Sequence, residues 1–141
     1  MIIDASVVLA WLIEEPDSAV AEALLFHDMN WRAPAILPVE IGYVLVKRVR
    51  RNELTQAGAR RAWADFRRLD LDVHDSAGAT DSALELALRL GVNLYDCLYL
   101  ALALEEEDVL VTADQRFVRA VRASVQPALA ERVQLLSEAA L

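Results

Sequence analysis

Four carboxylates in this sequence stand where chemistry could be done, each beside an apolar run. Asp4 follows Ile2-Ile3, and Asp114 lies just beyond Val109-Leu110-Val111. Glu40 lies among Ile36, Leu37, Val39, Ile41 and Val44, and Asp96 opens the most apolar stretch of the chain. A buried acid costs on the order of several kcal/mol unless it is paired or metal-bound. Lys47, the only lysine, is the one amine free to pair with Asp96. Several carboxylates a few ångströms apart also resist ionising together. Mg²⁺ or Mn²⁺ relieves that conflict, because both accept oxygen ligands and keep water molecules for reaction. A metal held in this way can activate water and stabilise negative charge on a phosphodiester.

Each acid also has a structural reading. Asp4 and Asp114 precede helices, and Asp is a favoured N-cap worth about 1 kcal/mol. Ser6 and Thr112 stand where they could do the capping instead and free the aspartates. Glu40 has Leu37 three residues before it, so it completes no capping box, although its charge suits a positive helix end. Asn93-Leu94-Tyr95-Asp96 has the spacing of a capping arrangement.

The elements around these acids follow from periodicity. Ile2-Ile3-Asp4 reads as a short buried strand, with helices over about 6–13 and 17–27. Ala33-Pro34-Ala35 is a connection with a short extended piece. A helix over about 38–50 carries Pro38 in its first turn, where proline is tolerated. After Asn52 comes an arginine-rich helix over about 55–68, and 69–73 alternates like a strand. A helix over about 77–90 stops at Gly91. The next, 94–106, is apolar nearly all round and belongs in the interior. Val109-Leu110-Val111 is a buried strand followed by a helix, and Val133-Gln134-Leu135 is a last strand. Strands alternating with helices predict a single domain over 1–141, a three-layer α/β/α sandwich around a mostly parallel sheet. Ligands of such sheets bind outside the carboxyl ends of the strands, which places Asp4 and Asp114 on one edge.

Net charge is −8, against a nucleic-acid binder at face value. Its distribution says otherwise. Eight of the 14 basic residues fall within 47–68, with only Glu53 and Asp65 opposing them. Lys47, Arg48, Arg51, Arg60 and Arg61 are therefore candidates for holding phosphates, against the plainer reading of a solvated face. Cys97 alone excludes an internal disulfide and a multi-cysteine zinc site, and reads as a buried thiol. The apolar start has no basic leader and carries Asp4, unlike a signal peptide. No stretch has the ~18 apolar residues of a membrane helix. A cytoplasmic protein with no membrane attachment is expected. His27 and His74 lack metal-ligand spacing. Trp11, Trp31 and Trp63 read as core or interface anchors. Glu105-Glu106-Glu107-Asp108 reads as the solvated end of the buried helix.

Four segments together resemble a known family. Met1-Ile2-Ile3-Asp4-Ala5-Ser6 is similar to the opening of PIN domains, VapC-type toxins of prokaryotic toxin–antitoxin pairs in particular. Glu40 with Val44 and Arg48, the segment Tyr95-Asp96-Cys97-Leu98-Tyr99-Leu100-Ala101-Leu102-Ala103, and Leu110-Val111-Thr112-Ala113-Asp114 resemble the other three motifs in order. The resemblance implies an α/β/α fold, dependence on Mg²⁺ or Mn²⁺, and endonucleolytic cleavage of RNA. It makes Asp4, Glu40, Asp96 and Asp114 the catalytic acids, with Asp4, Asp96 and Asp114 on the metal and Ser6 and Thr112 as supporting hydroxyls. It also implies a cognate antitoxin and a homodimer. Phe117 stands where many relatives carry a further acid. Two rival readings are a metal-dependent phosphohydrolase or phosphoacceptor acting on a small substrate, and a catalytically silent PIN-like interaction module. The first usually needs a lysine near the phosphate.

Overall fold

Short strands of two or three residues, each followed by a helix, pair side by side through helical crossovers, and that gives a parallel sheet. The computed structural model, which describes residues 1–27, 30–75 and 77–139, has this arrangement. Five strands, β1 (Ile2–Ile3), β2 (Arg32–Pro34), β3 (Asp72–His74), β4 (Leu110–Thr112) and β5 (Val133–Leu135), lie in the order β3-β2-β1-β4-β5. Every pairing is parallel, with Ile2 opposite both Arg32 and Leu110, and Ile3 opposite Val111. The chain builds outward from β1 to β3 on one side, then returns to add β4 and β5 on the other. The reversal falls between β1 and β4.

The crossovers are α1 (Ala5–Leu12) with α2 (Ser18–Leu25), α3 (Leu37–Arg50) with α4 (Gln56–Phe66), and α5 (Ala79–Leu90) with α6 (Leu94–Glu105). After β4 come α7 (Gln115–Arg122) and the short α8 (Pro127–Ala130), and α9 (Leu136–Ala139) follows β5. The sandwich predicted from the sequence is therefore correct, and element ends differ by a residue or two, as helix ends usually do. The strand expected at 69–73 begins later. Leu69 and Leu71 instead close the end of α4, with the Leu69 amide bonded to the Phe66 carbonyl at 3.1 Å. Asp72–His74 pairs with β2 and forms an edge, which is why Val73 is 41 % exposed.

Helix α6 lies against β1, β2 and β4, and every residue from Cys97 to Ala103 is buried. Burying a Leu or Tyr side chain there stabilises the fold by about 1.5–3 kcal/mol. The Cys97 thiol, pushed up to about 11 by burial and by Asp96, is the inert group expected. The acidic run at the end of α6 is not all solvated. Arg32 reaches Glu106 and Asp108 at 2.6 Å each, and the Met1 ammonium reaches Asp108 at 2.6 Å. The far edge is closed differently. Glu138 of α9, held by Arg122 at 2.6 and 3.0 Å, accepts the Leu135 amide of β5 at 3.4 Å.

The turn that sets the start of α6 depends on Gly91, whose φ is +65°. Its amide and that of Val92 both bond to the Ala87 carbonyl. A Cβ at Gly91 would meet no atom within 4 Å, so only backbone strain opposes a side chain. Gly91→Ala is therefore expected to destabilise the protein by about 1–2 kcal/mol in urea unfolding, the cost of a left-handed L-residue.

Candidate active site

The reversal between β1 and β4 opens a crevice at the carboxyl ends of those strands, the usual ligand position in such sheets. Asp4 ends β1 inside it and is only 8 % exposed. One carboxylate oxygen, Oδ1, accepts the amides of Ser6 and Val7 at 3.0 and 3.2 Å and the Ser6 hydroxyl at 2.5 Å. Its Oδ2 accepts the Thr112 hydroxyl of β4 at 2.5 Å. The two hydroxyls act as couplers, because Ser6 Oγ also accepts the Ala113 amide and Thr112 Oγ1 the Asp114 amide. The ends of the two strands are thereby stitched together side chain to backbone. Burial still pushes Asp4 above the usual carboxylate range, although these hydrogen bonds oppose the shift.

Asp114 caps α7, with Oδ1 accepting the amides of Arg116 and Phe117 at 2.8 and 3.0 Å. Neither Ser6 nor Thr112 replaces the aspartates as caps. They hold Asp4 in place, and both aspartates act as caps themselves.

Glu40 sits in the first turn of α3, behind Ile36, whose side chain makes no capping bond. Its Oε2 accepts the hydroxyl of Tyr99 from α6 at 3.0 Å, while Oε1 is buried without a hydrogen-bond partner. Burial, with Asp4 and Asp96 nearby, raises its carboxyl to about 7. Asp96, half-buried near the start of α6, is raised to about 6 by burial and then by Asp4 and Asp114. Asn93 caps α6 through the Tyr95 amide at 2.8 Å, which leaves Asp96 free of that duty. Tyr99 was not singled out from the sequence. The usable signal was a hydroxyl in an otherwise aliphatic helix, since a buried tyrosine OH needs a partner.

Glu40 and Asp96 line one cavity, both feel the charge of Asp4, and Asp96 also feels that of Asp114. Among the described residues, no three Asp, Glu, His or Cys side chains converge closely enough to enclose a cation as they stand. The donor set nevertheless suits a hard ion, being all oxygen, with Glu40 Oε1 buried and unbonded.

The basic residues of 47–68 stand late on α3 and on or beside α4. Lys47 is near the end of α3, about 10 Å along the axis from Glu40. It lies over the Tyr43 ring, so a small-substrate site with lysine beside the acids is not formed. Arg48 pairs with Glu15 and, at 3.5 Å, with Glu53. Arg60 contacts Gln56 at 3.3 Å, whereas Arg51 and Arg61 are exposed and make no ion pair among the described residues. His74 bonds Asp72 at 3.0 Å, far from any metal role. Trp31 is buried and packs edge-on against Trp11, their ring centres 5.7 Å apart, while Trp63 packs on Phe66.

A PIN domain model matches residues 1–123. The chain belongs to the PIN-domain family. This PIN domain is 30 % identical over 131 residues to Ribonuclease VapC3 of Pyrobaculum aerophilum, covering 90 % of this chain and 98 % of that one. Solved structures share the fold at lower identity. PAE2754 from Pyrobaculum aerophilum superimposes with a TM-score of 0.68 at 22 % identity, covering 88 % of this chain and 87 % of the other. VapBC2 from Rickettsia felis, bound to a DNA fragment from its promoter, gives 0.64 at 20 % identity, covering 95 % and 96 %. A toxin–antitoxin complex from Klebsiella pneumoniae gives 0.61 at 14 % identity, covering 96 % of each chain.

The raised carboxyls make a pH prediction. Glu40 and Asp96 hold protons in the folded protein at pH values where the unfolded chain, with ordinary values of 4.5 and 3.8, has released them. Their contribution to stability is present at low pH and is lost as pH rises from about 4 through 7. In EDTA at pH 7.5, Glu40→Gln and Asp96→Asn should each melt higher than the parent. At pH 5 most of the Glu40→Gln gain should be gone. A gain of equal size at both pH values would show that electrostatic conflict is not what the substitution relieves.

Proposed function

We propose that this PIN domain is a divalent-metal-dependent endoribonuclease, the toxin of a toxin–antitoxin pair acting in the cytoplasm. The observation that carries the reading is the network tying Asp4 through Thr112 to the Asp114 amide, with Glu40 and Asp96 close enough for the Asp4 charge to raise their carboxyls. The ribonuclease name of the relative VapC3 supports it. Asp4, Asp96 and Asp114 would hold Mg²⁺ or Mn²⁺. When bound, the ion supplies charge stabilisation at the phosphate and lowers the pKa of water.

The protein's own residues supply the rest. Ser6 and Thr112 fix the Asp4 carboxylate so that it need not reorganise. Tyr99 orients Glu40, and a carboxyl raised to about 7 can take up and return a proton near neutrality. The exposed Arg51, Arg60 and Arg61, with Lys47, are suited to hold the RNA backbone. Arg48, already engaged with Glu15 and Glu53, contributes less. Hydrolysis adds water across the phosphodiester, its oxygen bonding to phosphorus as the bond to the leaving oxygen breaks.

Surface features fit the proposed partners. Between α3 and α4 lies a groove of about 440 Å³ floored by Leu45, Val49 and Trp63 and rimmed by Arg50 and Arg60. An antitoxin segment with apolar and acidic side chains would suit it. Leu84 and Leu88, 48 % and 70 % exposed on α5, offer a face for a second copy of the chain. No single helix among the described residues is long and apolar enough to cross a membrane.

Cleavage of RNA that requires Mn²⁺ or Mg²⁺ and is lost in Asp4→Asn tests the reading directly. Asn caps helices as well as Asp, so this variant should stay folded. Without cleavage by the parent, a silent binding module is the better description. Metal binding has a second readout. At ten times its dissociation constant, a cation bound only to the folded state stabilises by about 1.4 kcal/mol. For a domain of this size the melting temperature should rise by roughly 3–5 °C. EDTA should reverse the rise, Asp4→Asn and Asp114→Asn should lose it, and Glu105→Gln, outside the crevice, should keep it. Equal shifts in all variants would reduce the site to general screening.

Replacing Arg51, Arg60 and Arg61 by Gln should flatten the salt dependence of RNA binding. Each lost phosphate contact should remove roughly 0.7 from the slope of log affinity against log salt. An unchanged slope would place the RNA elsewhere.

A further inference from the structure

One stripe of α3 carries three chemistries in succession. Glu40, Tyr43 and Lys47 recur at helical spacing and so share a face. Tyr43 is 66 % exposed, and the Lys47 ammonium lies 5.9 Å from its ring centre. Facing this stripe is the start of α6, where Tyr95 is 51 % exposed beside Asp96. The two helices enclose a cavity of about 570 Å³ walled by Val39, Val44, Tyr43 and Tyr95, and it includes both Glu40 and Asp96 in its lining. Asn93 also lines it. Its Oδ1 is occupied by the Tyr95 amide, while its NH₂ makes no hydrogen bond among the described residues.

We infer that this cavity receives one unpaired base of single-stranded RNA, stacked against Tyr43 and Tyr95, next to the phosphate presented to the acids. The inference deepens the ribonuclease reading and rests on it. Flat aromatic rings left in water beside a phosphodiester site suit a base, because every base has a stacking face. The free amide hydrogens of Asn93 can meet acceptors on the base edge. Lys47, farther along the same stripe, is set to meet a neighbouring phosphate. The stripe thus orders acid, base and phosphate contacts along one strand. A second copy of the chain is the competing occupant, since Val39 and Val46 are also exposed on α3. Closing an apolar protein surface over the cavity would bury Glu40 and Asp96 further without a partner, which is costly. A nucleotide leaves that side open to cation and water.

Fluorescence anisotropy with labelled single-stranded homopolymers of each base, in EDTA and again with Ca²⁺, tests this. Sedimentation of the same proteins reports assembly. Tyr43→Ala and Tyr95→Ala should each weaken binding roughly 5- to 150-fold, the range for losing one stacked base. Their salt slopes should stay at the parent value. Tyr43→Phe, which keeps the ring, should retain the affinity. Lys47→Gln should flatten the salt slope by roughly 0.7. Alanine variants that bind and cleave RNA as the parent does overturn the base site and leave the ribonuclease reading standing. If those variants also lose a dimer that the parent forms, the cavity belongs to a second copy. A parent that neither binds nor cleaves RNA overturns the ribonuclease reading, and the base site with it.

Discussion

The hydrogen bond from Thr112 to Asp4 joins the ends of two adjacent parallel strands at the point where the sheet reverses its order. A carboxylate buried there would be intolerable alone. It is held by two hydroxyls and two amides, and both hydroxyls are themselves tied to the backbone beyond β4. Asp114 inherits its position from this network, because its own amide is bonded to Thr112. Glu40 and Asp96 then approach from α3 and α6, and their raised carboxyls record burial first and the nearby like charge second.

Much of this was legible in the sequence. Strands alternating with helices gave the sandwich, and the apolar pattern of α6 gave its central helix. Asp4, Ser6, Thr112 and the Asp114 amide are joined by hydrogen bonds, and Glu40 and Asp96 feel the charge of Asp4. What the sequence obscured was division of labour. Capping and site membership looked like rivals for Asp4 and Asp114, yet Asp4 caps α1 through one carboxylate oxygen and binds the Thr112 hydroxyl through the other. The role of Tyr99 was hidden because its partner, Glu40, lies on a different helix. The late start of β3 was hidden because 69–73 alternates regularly, and the end of α4 competes for its leucines.

Charge was the least legible property. A count of basic residues over 47–68 treats them as equivalent, but geometry sorts them. Arg48 is committed to Glu15 and Glu53, while Lys47 is exposed over the Tyr43 ring. Arg50 and Arg60 rim an apolar groove, and Arg51 and Arg61 face water. Likewise the acidic run 105–108 splits into exposed residues and two that anchor Arg32 and the Met1 ammonium beside β1.

The two margins of the sheet limit how copies of this protein can associate. An open sheet ends in unpaired backbone groups, and long flat edges invite strands from other molecules. Here each margin is three residues long. One carries Asp72 and His74, and the other has an amide occupied by a glutamate that an arginine locks in place. Neither offers a template for strand addition. Growth of the sheet from molecule to molecule is therefore disfavoured at both margins, which leaves the helical faces as the broad surfaces through which one chain can meet another.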